Sequence, residues 1–520
     1  MVHRPSFLES IQTDDVRLDF VLSICALAAM FYKDANGYPS LVDNHFCREW
    51  AEEAGRIALT QIEKPSYENT AVFLNLALFW YSYGDFHRAV MHSGFASTTT
   101  WTLGLPDIGH ENDHSLELEI RRRRFWACYL LNSFLTDSLF PKIPTVAMVN
   151  MPLPCCENDF GLGKPQGGVS LKSGQSTQSI YAEVVRVMAL WSAVVALVKQ
   201  PEASLTNRLA EIQVLDGRIH EAYSKLSECF QLTSNNMSST HLDDLPNLLL
   251  LHVMYQQCWC SLHSSIVPLF SWSVFDDNYS YAQQLSAQTA FEHANTVSSL
   301  LDTALKLNWD ATRMPSFIGY AAYCACAIQT PFLWCLHSEV KQHAVRSVLA
   351  NLKTLQVLGN HWKFLKVLGK YACHLYKVHA SRPFPLADEP KNMTGAALKG
   401  IRPNARARLS ILAHNTILVN EEGSFARIPE DIGDLSLNEA GSQNAALDNE
   451  ENIAGFMSHI SGEGRTVTSQ LPVMMDPFLP SENLDYYDLS GAFHQPTGAQ
   501  DMDSFGNIED WISELLQHEA

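Results

Sequence analysis

An all-α fold is predicted, with a multi-helix globular body followed by a largely disordered acidic C-terminal tail. Three observations predict it. Long apolar runs, such as Ala71 to Tyr83, Val184 to Val198, Leu248 to Pro268 and Tyr320 to Leu336, are rich in Ala, Leu, Met and Cys. Strict alternation is scarce, so strands lack their usual signal. The formal charge of −20 is also concentrated: positions 421–520 hold 20 acidic residues against Arg427 and Arg465. Positions 1–420 are left with 36 acidic and 34 basic residues, a body near neutrality. A strong electrostatic nucleic-acid binder needs a basic face, and nothing in the overall balance of the body supplies one.

Taken in order, positions 1–382 divide into helical segments punctuated by breakers. Several runs are apolar all round, which a helix tolerates only when surrounded by protein. Pro141, Pro144, Pro152 and Pro154 predict an extended stretch, because a residue before proline avoids the helical region. Five glycines between Gly161 and Gln178 predict an exposed loop, with further loops near Asn235-Asn236 and Phe275 to Asn278. Positions 383–420 form a weakly basic linker, and 421–520 are acidic and mostly disordered. The apolar run from Phe20 to Tyr32 is preceded by Asp14, Asp15 and Asp19, where an export signal needs positive charge. That run and Val187 to Val198 are too short to span a bilayer, so no membrane partner is expected.

The cysteines and glycines carry no catalytic or metal signature. The 12 cysteines sit mostly in apolar runs, as in Cys258-Trp259-Cys260, and none repeats at zinc-ligand spacing. Buried reduced thiols fit them best. Gly161-Leu-Gly163-Lys164 fails as a phosphate loop because Pro165 stands where Ser or Thr is needed. No nucleophile elbow or dinucleotide turn is present, so an enzyme is not expected. His252, His293 and His374 are scattered singly and suit local hydrogen bonding.

Two stretches carry finer detail. One runs from Asn69 to Gly84 and continues to Trp101-Thr-Leu-Gly-Leu105; the other runs from Glu119 through Arg121 to Arg124, Phe125 and Trp126 to Leu131, with Ile143-Pro144 and Met151 to Pro154 behind it. In this order and spacing they resemble the fungal-specific transcription factor domain, the middle homology region of zinc binuclear cluster regulators, best over 65–160. The resemblance implies an all-α regulatory domain in a nuclear transcription factor, able to form homo- or heterodimers. This chain has Asn132-Ser133 where the family usually has an Asp-Arg pair, and it holds no six-cysteine zinc cluster. Zinc is expected only if such a cluster lies upstream of Met1, and DNA contact only through that module or a partner. Met1 to Phe7 reads as the entry into the domain and Phe7 to Ile24 as its first helix.

On a helical wheel Arg122, Phe125, Trp126 and Tyr129 share one buried face, while Arg121, Arg123 and Arg124 point elsewhere. A buried guanidinium needs a carboxylate, so Arg122 is expected to pair with Asp137 or Asp159. In the tail, Ile508, Trp511, Ile512, Leu515 and Leu516 share one face of a candidate activation helix at 508–516, with acids on the other. About nine residues make a marginal helix alone in water, so it is expected to fold in a partner's groove. The function expected is a nuclear, pathway-specific activator of RNA polymerase II genes that recruits coactivators through its tail. A DNA-binding-deficient partner of full-length zinc cluster factors is the alternative, and a helical small-molecule-binding protein or enzyme stands last.

Overall fold

A computed structural model describes residues 2–105, 114–135, 144, 146–199, 204–270, 276–381, 383 and 385–398. Among these residues there are sixteen α-helices and no strand. In chain order they are α1 (Arg4–Gln12), α2 (Leu18–Ala29), α3 (Ser40–Asp43), α4 (Phe46–Thr60), α5 (Tyr67–Tyr83), α6 (Phe86–Thr102), α7 (Leu116–Leu135), α8 (Val146–Asn150), α9 (Glu157–Gly161), α10 (Ile180–Lys199), α11 (Leu205–Ser224), α12 (Leu245–Ser264), α13 (Ser280–Lys306), α14 (Ser316–Gln329), α15 (Ser338–Gly359) and α16 (Lys363–Ser381). The candidate helix at 508–516, and the whole acidic segment with it, lies outside the described residues.

Local chemistry sets the ends. Ser66 accepts a hydrogen bond from the Asn69 N–H at 3.2 Å to open α5, and Asp85 accepts from the Arg88 N–H at 3.1 Å to open α6. Between them Gly84 takes φ +94°, and a Cβ there would stand 3.0 Å from Lys363, so the α5–α6 turn requires glycine. The predicted first helix is broken in two. The Thr13 hydroxyl bonds back to the Glu9 and Ser10 carbonyls, and Asp14 adopts φ +57°, separating α1 from α2.

Packing explains the apolar runs. Helices α2, α4, α5 and α6 pack together in the first part of the chain, and α10 to α16 in the second, with α7 touching α5, α6 and α10. Every residue of α14 is buried, as a central helix demands. Ser298, Gln329 and Asn351 hydrogen-bond one another there at 2.9 to 3.1 Å, tying α13, α14 and α15. Helix α10 is longer than the apolar run suggested and passes the length and composition test for a membrane span, but it is packed against α7, α11 and α12.

Two stretches expected to be loose are docked. Leu153 N–H donates to Val169 O at 2.9 Å, and Pro152 bridges to Ser170, so the glycine-rich stretch is partly anchored. A Cβ at Gly168 would stand 2.4 Å from the Leu153 carbonyl, which explains a glycine at that contact. Residues 385–398, assigned above to a linker, lie along α13: Gln284 Nε2 donates to Pro390 O at 3.1 Å and Lys391 N–H to Gln288 Oε1 at 2.8 Å. Leu386 and Leu398 are buried. Their apolar residues are too sparse to show a period, which hid them in the sequence.

Between α11, α12 and α13 the histidines gather on Trp259. Its indole N–H donates to Asp216 at 2.9 Å, and His293 stacks on it with centroids 4.3 Å apart while its Nδ1 lies 2.6 Å from Gln256 Oε1. His252 hydrogen-bonds the Tyr223 hydroxyl and the backbone at Phe230 and Leu232. Burial first, and then the charges of His263 and His220, lower the His293 pKa from 6.5 to about 4. The neutral ring therefore favours the fold fully above pH 6.5, and this contribution is lost as pH falls from 6.5 toward 4, because only the unfolded chain takes up the proton there. Urea unfolding at pH 7 and pH 4.5 checks this: His293→Gln should reduce the acid-induced loss of stability by about 2 to 3 kcal/mol. An unchanged pH dependence would contradict it.

Candidate functional site

Helix α7 carries the residues that the sequence singled out. Leu118, Phe125, Trp126, Cys128 and Tyr129 are buried, and the rings of Phe125, Trp126 and Tyr129 pack edge to face at 5.1 and 5.7 Å. The Trp126 indole N–H donates to the Pro152 carbonyl at 2.9 Å, so the proline-rich stretch is held against the aromatic face.

Arg122 is 2% exposed, with Nη1 3.8 Å from Glu119 Oε2. Asp137, one of its two expected partners, lies outside the described residues. The sequence reading of Arg123 needs correction. Its side chain is as buried as that of Arg122, because α7 is covered on two sides, by α5 and α6 and by α10 with residues 151–160. A wheel with one buried direction cannot represent a helix of this kind.

Arg123 is the centre of a clamp. Its Nε donates to Glu119 Oε1 at 2.9 Å, one Nη to Glu157 Oε1 at 2.8 Å and the other to the Cys155 carbonyl at 2.7 Å. The Cys155 N–H donates back to Glu119 at 2.9 Å, and the Tyr181 hydroxyl from α10 donates to the Arg123 carbonyl at 3.1 Å. The guanidinium also lies over the Phe160 ring at 3.8 Å. Burial alone would lower the Arg123 pKa, but Glu157 and Glu119 outweigh it and raise it, so the cation stays charged. Burial, then Glu119, push the Cys155 thiol up to about 12, which keeps it a neutral packing group.

The other arginines are engaged as well. Arg121 pairs with Glu117 and lies over the Tyr67 ring at 4.0 Å, and Arg124 approaches Glu68 at 3.9 Å. Each member of the run is thus directed to a carboxylate within the domain, and the run offers no free row for phosphates. Asn132 is buried and neutral: its Oδ1 accepts from the Ser93 hydroxyl of α6 at 2.8 Å, where the resemblance implied a charged pair. Among the described residues no group of three or more His, Cys, Asp or Glu side chains is placed to hold a metal ion.

The i,i+4 spacing of Glu119 and Arg123 was visible in the sequence and is the signal that could have found the clamp. What it could not show is that Cys155 and Glu157, more than thirty positions later, complete it.

Fold and site together define an all-helical regulatory-type domain whose signature helix is bolted to a proline-rich segment by a buried arginine. The chain belongs to the fungal-specific transcription factor domain family, whose model matches residues 1–260, half of its length. It is 24% identical over 398 residues to the Zn(2)-C6 fungal-type transcription factor FTF1c of Fusarium oxysporum f. sp. lycopersici, covering 70% of this chain and 42% of that protein. It is 26% identical over 229 residues to the transcriptional regulatory protein C1327.01c of Schizosaccharomyces pombe, covering 38% of this chain and 23% of that protein. It is also 23% identical over 419 residues to the S. pombe transcriptional regulatory protein C530.11c, covering 72% and 49%. The chain therefore spans less than half the length of these relatives. No solved structure matches.

Replacing Arg123 with Met leaves the Glu119 carboxylate buried without its cation, and should cost about 3 to 5 kcal/mol of stability in urea unfolding. Replacing the half-exposed Arg121 with Ala should cost under about 1 kcal/mol. Equal losses at the two positions would remove the clamp.

Proposed function

We propose that this chain is the regulatory part of a nuclear, pathway-specific transcription activator of RNA polymerase II genes. Its helical domain serves as a scaffold, and the acidic segment 421–520 recruits coactivators through the Ile508, Trp511, Ile512, Leu515 and Leu516 face. One observation carries the reading: a chain whose first half matches the fungal transcription factor family confines 20 acidic and only two basic residues to its last hundred. Acidic surroundings keep apolar groups solvated and available to a partner's groove, in which a short helix can fold.

The arginine run of α7 is spent on contacts inside the domain. This favours DNA contact through another module or a partner, and fits a second reading as a modulator that dimerises with full-length zinc cluster factors. Zinc, in either reading, belongs to that module. No catalytic role is part of the proposal.

A reporter assay with the full chain fused to a DNA-binding module tests the tail. Trp511→Ala with Leu515→Ala should lower output at least about tenfold, corresponding to about 1.4 kcal/mol or more of lost partner binding. The unfolding midpoint should not move. Unchanged output would reject the activating role.

A further inference from the structure

We infer that the adjacent thiols of Cys155 and Cys156 form an oxidant-responsive modification site, whose closure to a disulfide releases residues 151–160 from α7. These are the only neighbouring cysteines in the chain, and they flank the amide that the clamp grips. The Cys155 carbonyl, which belongs to the peptide group joining them, accepts from Arg123 at 2.7 Å, and the Cys155 N–H donates to Glu119 at 2.9 Å. The two thiols stand in different surroundings. Cys155 is 6% exposed, with its sulfur 4.0 Å from an Arg123 Nη. Cys156, just before α9, is half-buried and has an extended backbone at φ −64° and ψ 154°. Extended backbone turns successive side chains to opposite sides, so the outer thiol is open to a reagent while the inner one is covered.

Sterics set the clamp against the disulfide. Neighbouring Cα atoms are about 3.8 Å apart, whereas disulfide-linked Cα atoms usually stand about 4.4 to 6.8 Å apart. A bridge between adjacent residues closes a small ring that includes the peptide group itself, so that group must turn and relax its planarity. The carbonyl of this same group is held by a short, directional hydrogen bond to a buried cation. The closed ring and the closed clamp therefore exclude each other. With the ring closed, Glu119 and Arg123 keep one another but lose the backbone of residue 155.

The co-reactant is a low-molecular-weight disulfide such as oxidised glutathione. The Cys156 thiolate attacks one of its sulfurs, forming a mixed disulfide and expelling one small thiolate. The second step waits on the clamp. Burial, then Glu119, raise the Cys155 pKa to about 12, so the inner sulfur keeps its proton while the clamp is closed. When the clamp opens, the solvated Cys155 loses that proton, and its thiolate attacks the Cys156 sulfur and expels the second small thiolate. Two protein thiols and one small disulfide become one protein disulfide and two small thiols, the protons passing through solvent. The firmer the clamp, the more oxidising the surroundings must be before the ring closes. The inference does not depend on what the acidic segment recruits.

The test exposes the full chain to glutathione buffers of increasing oxidised fraction, with peptide mapping by mass spectrometry and hydrogen exchange on the same samples. The expected product is a Cys155–Cys156 disulfide, its peptide lighter by the two thiol hydrogens. Exchange over 151–160 should then be at least about tenfold faster, with the amides of α14 unchanged, and excess reduced glutathione should reverse both changes. Cys155→Ser should stop at glutathione on Cys156, and Cys156→Ser should leave Cys155 unmodified at the same buffer ratio. Glu157 is the exposed leg of the clamp, and Arg123 keeps Glu119 without it. Glu157→Gln should therefore fold and shift the dithiol–disulfide equilibrium toward the ring by about threefold or more. A mixed disulfide that persists on Cys156 in the wild type overturns the proposal, as does an equilibrium that Glu157→Gln leaves in place. So do a ring that forms with exchange over 151–160 unchanged, and oxidation that appears only when α14 loses its protection as well.

Discussion

The described domain depends on a buried ion pair at the middle of α7. Glu119 and Arg123 lie one turn apart, both 2% exposed or less, and would be costly to bury singly. The cost is offset because each group is hydrogen-bonded outward to the same piece of chain. Glu119 takes the Cys155 N–H while Arg123 takes the Cys155 carbonyl and Glu157. An irregular proline-rich segment, which has few backbone partners of its own, is thereby satisfied and fixed in register against a helix. Trp126 repeats the arrangement one turn on through the Pro152 carbonyl.

That attachment organises what lies around it. With residues 151–160 held on one side of α7, the aromatic face is closed, and Tyr181 of α10 reaches the Arg123 carbonyl. Helix α10 then carries the chain into the second group of helices, where α14 is buried throughout and the Ser298–Gln329–Asn351 network aligns its neighbours. Polar groups inside this body are therefore concentrated at junctions between elements, where they specify which helix meets which, while Leu, Ala and aromatic side chains supply the buried area.

Much of this was legible beforehand, for identifiable reasons. All-round apolar runs mark buried helices whatever their neighbours, so α5, α10, α12 and α14 could be placed from composition. Phe125, Trp126 and Tyr129 were found because aromatic residues at helical spacing have one reading. Arg123 was missed because a wheel assumes one buried direction, and α7 has two covered sides. The break at Asp14 depends on a left-handed residue that leaves no periodic trace. The docking of 385–398 rests on isolated contacts such as Leu398 and Gln284, which no local pattern announces.

The chain is thus a near-neutral helical body, a member of the fungal-specific transcription factor domain family, joined to a strongly acidic segment. The claim on which this account most depends is that the clamp makes residues 151–160 part of the body's cooperative unit rather than a surface loop. Native-state hydrogen exchange at the Cys155 amide measures this directly. The account predicts that this amide exchanges with the same protection as the buried amides of α7 around Trp126. Exchange at the rate of an open loop, with α7 still protected, would contradict it.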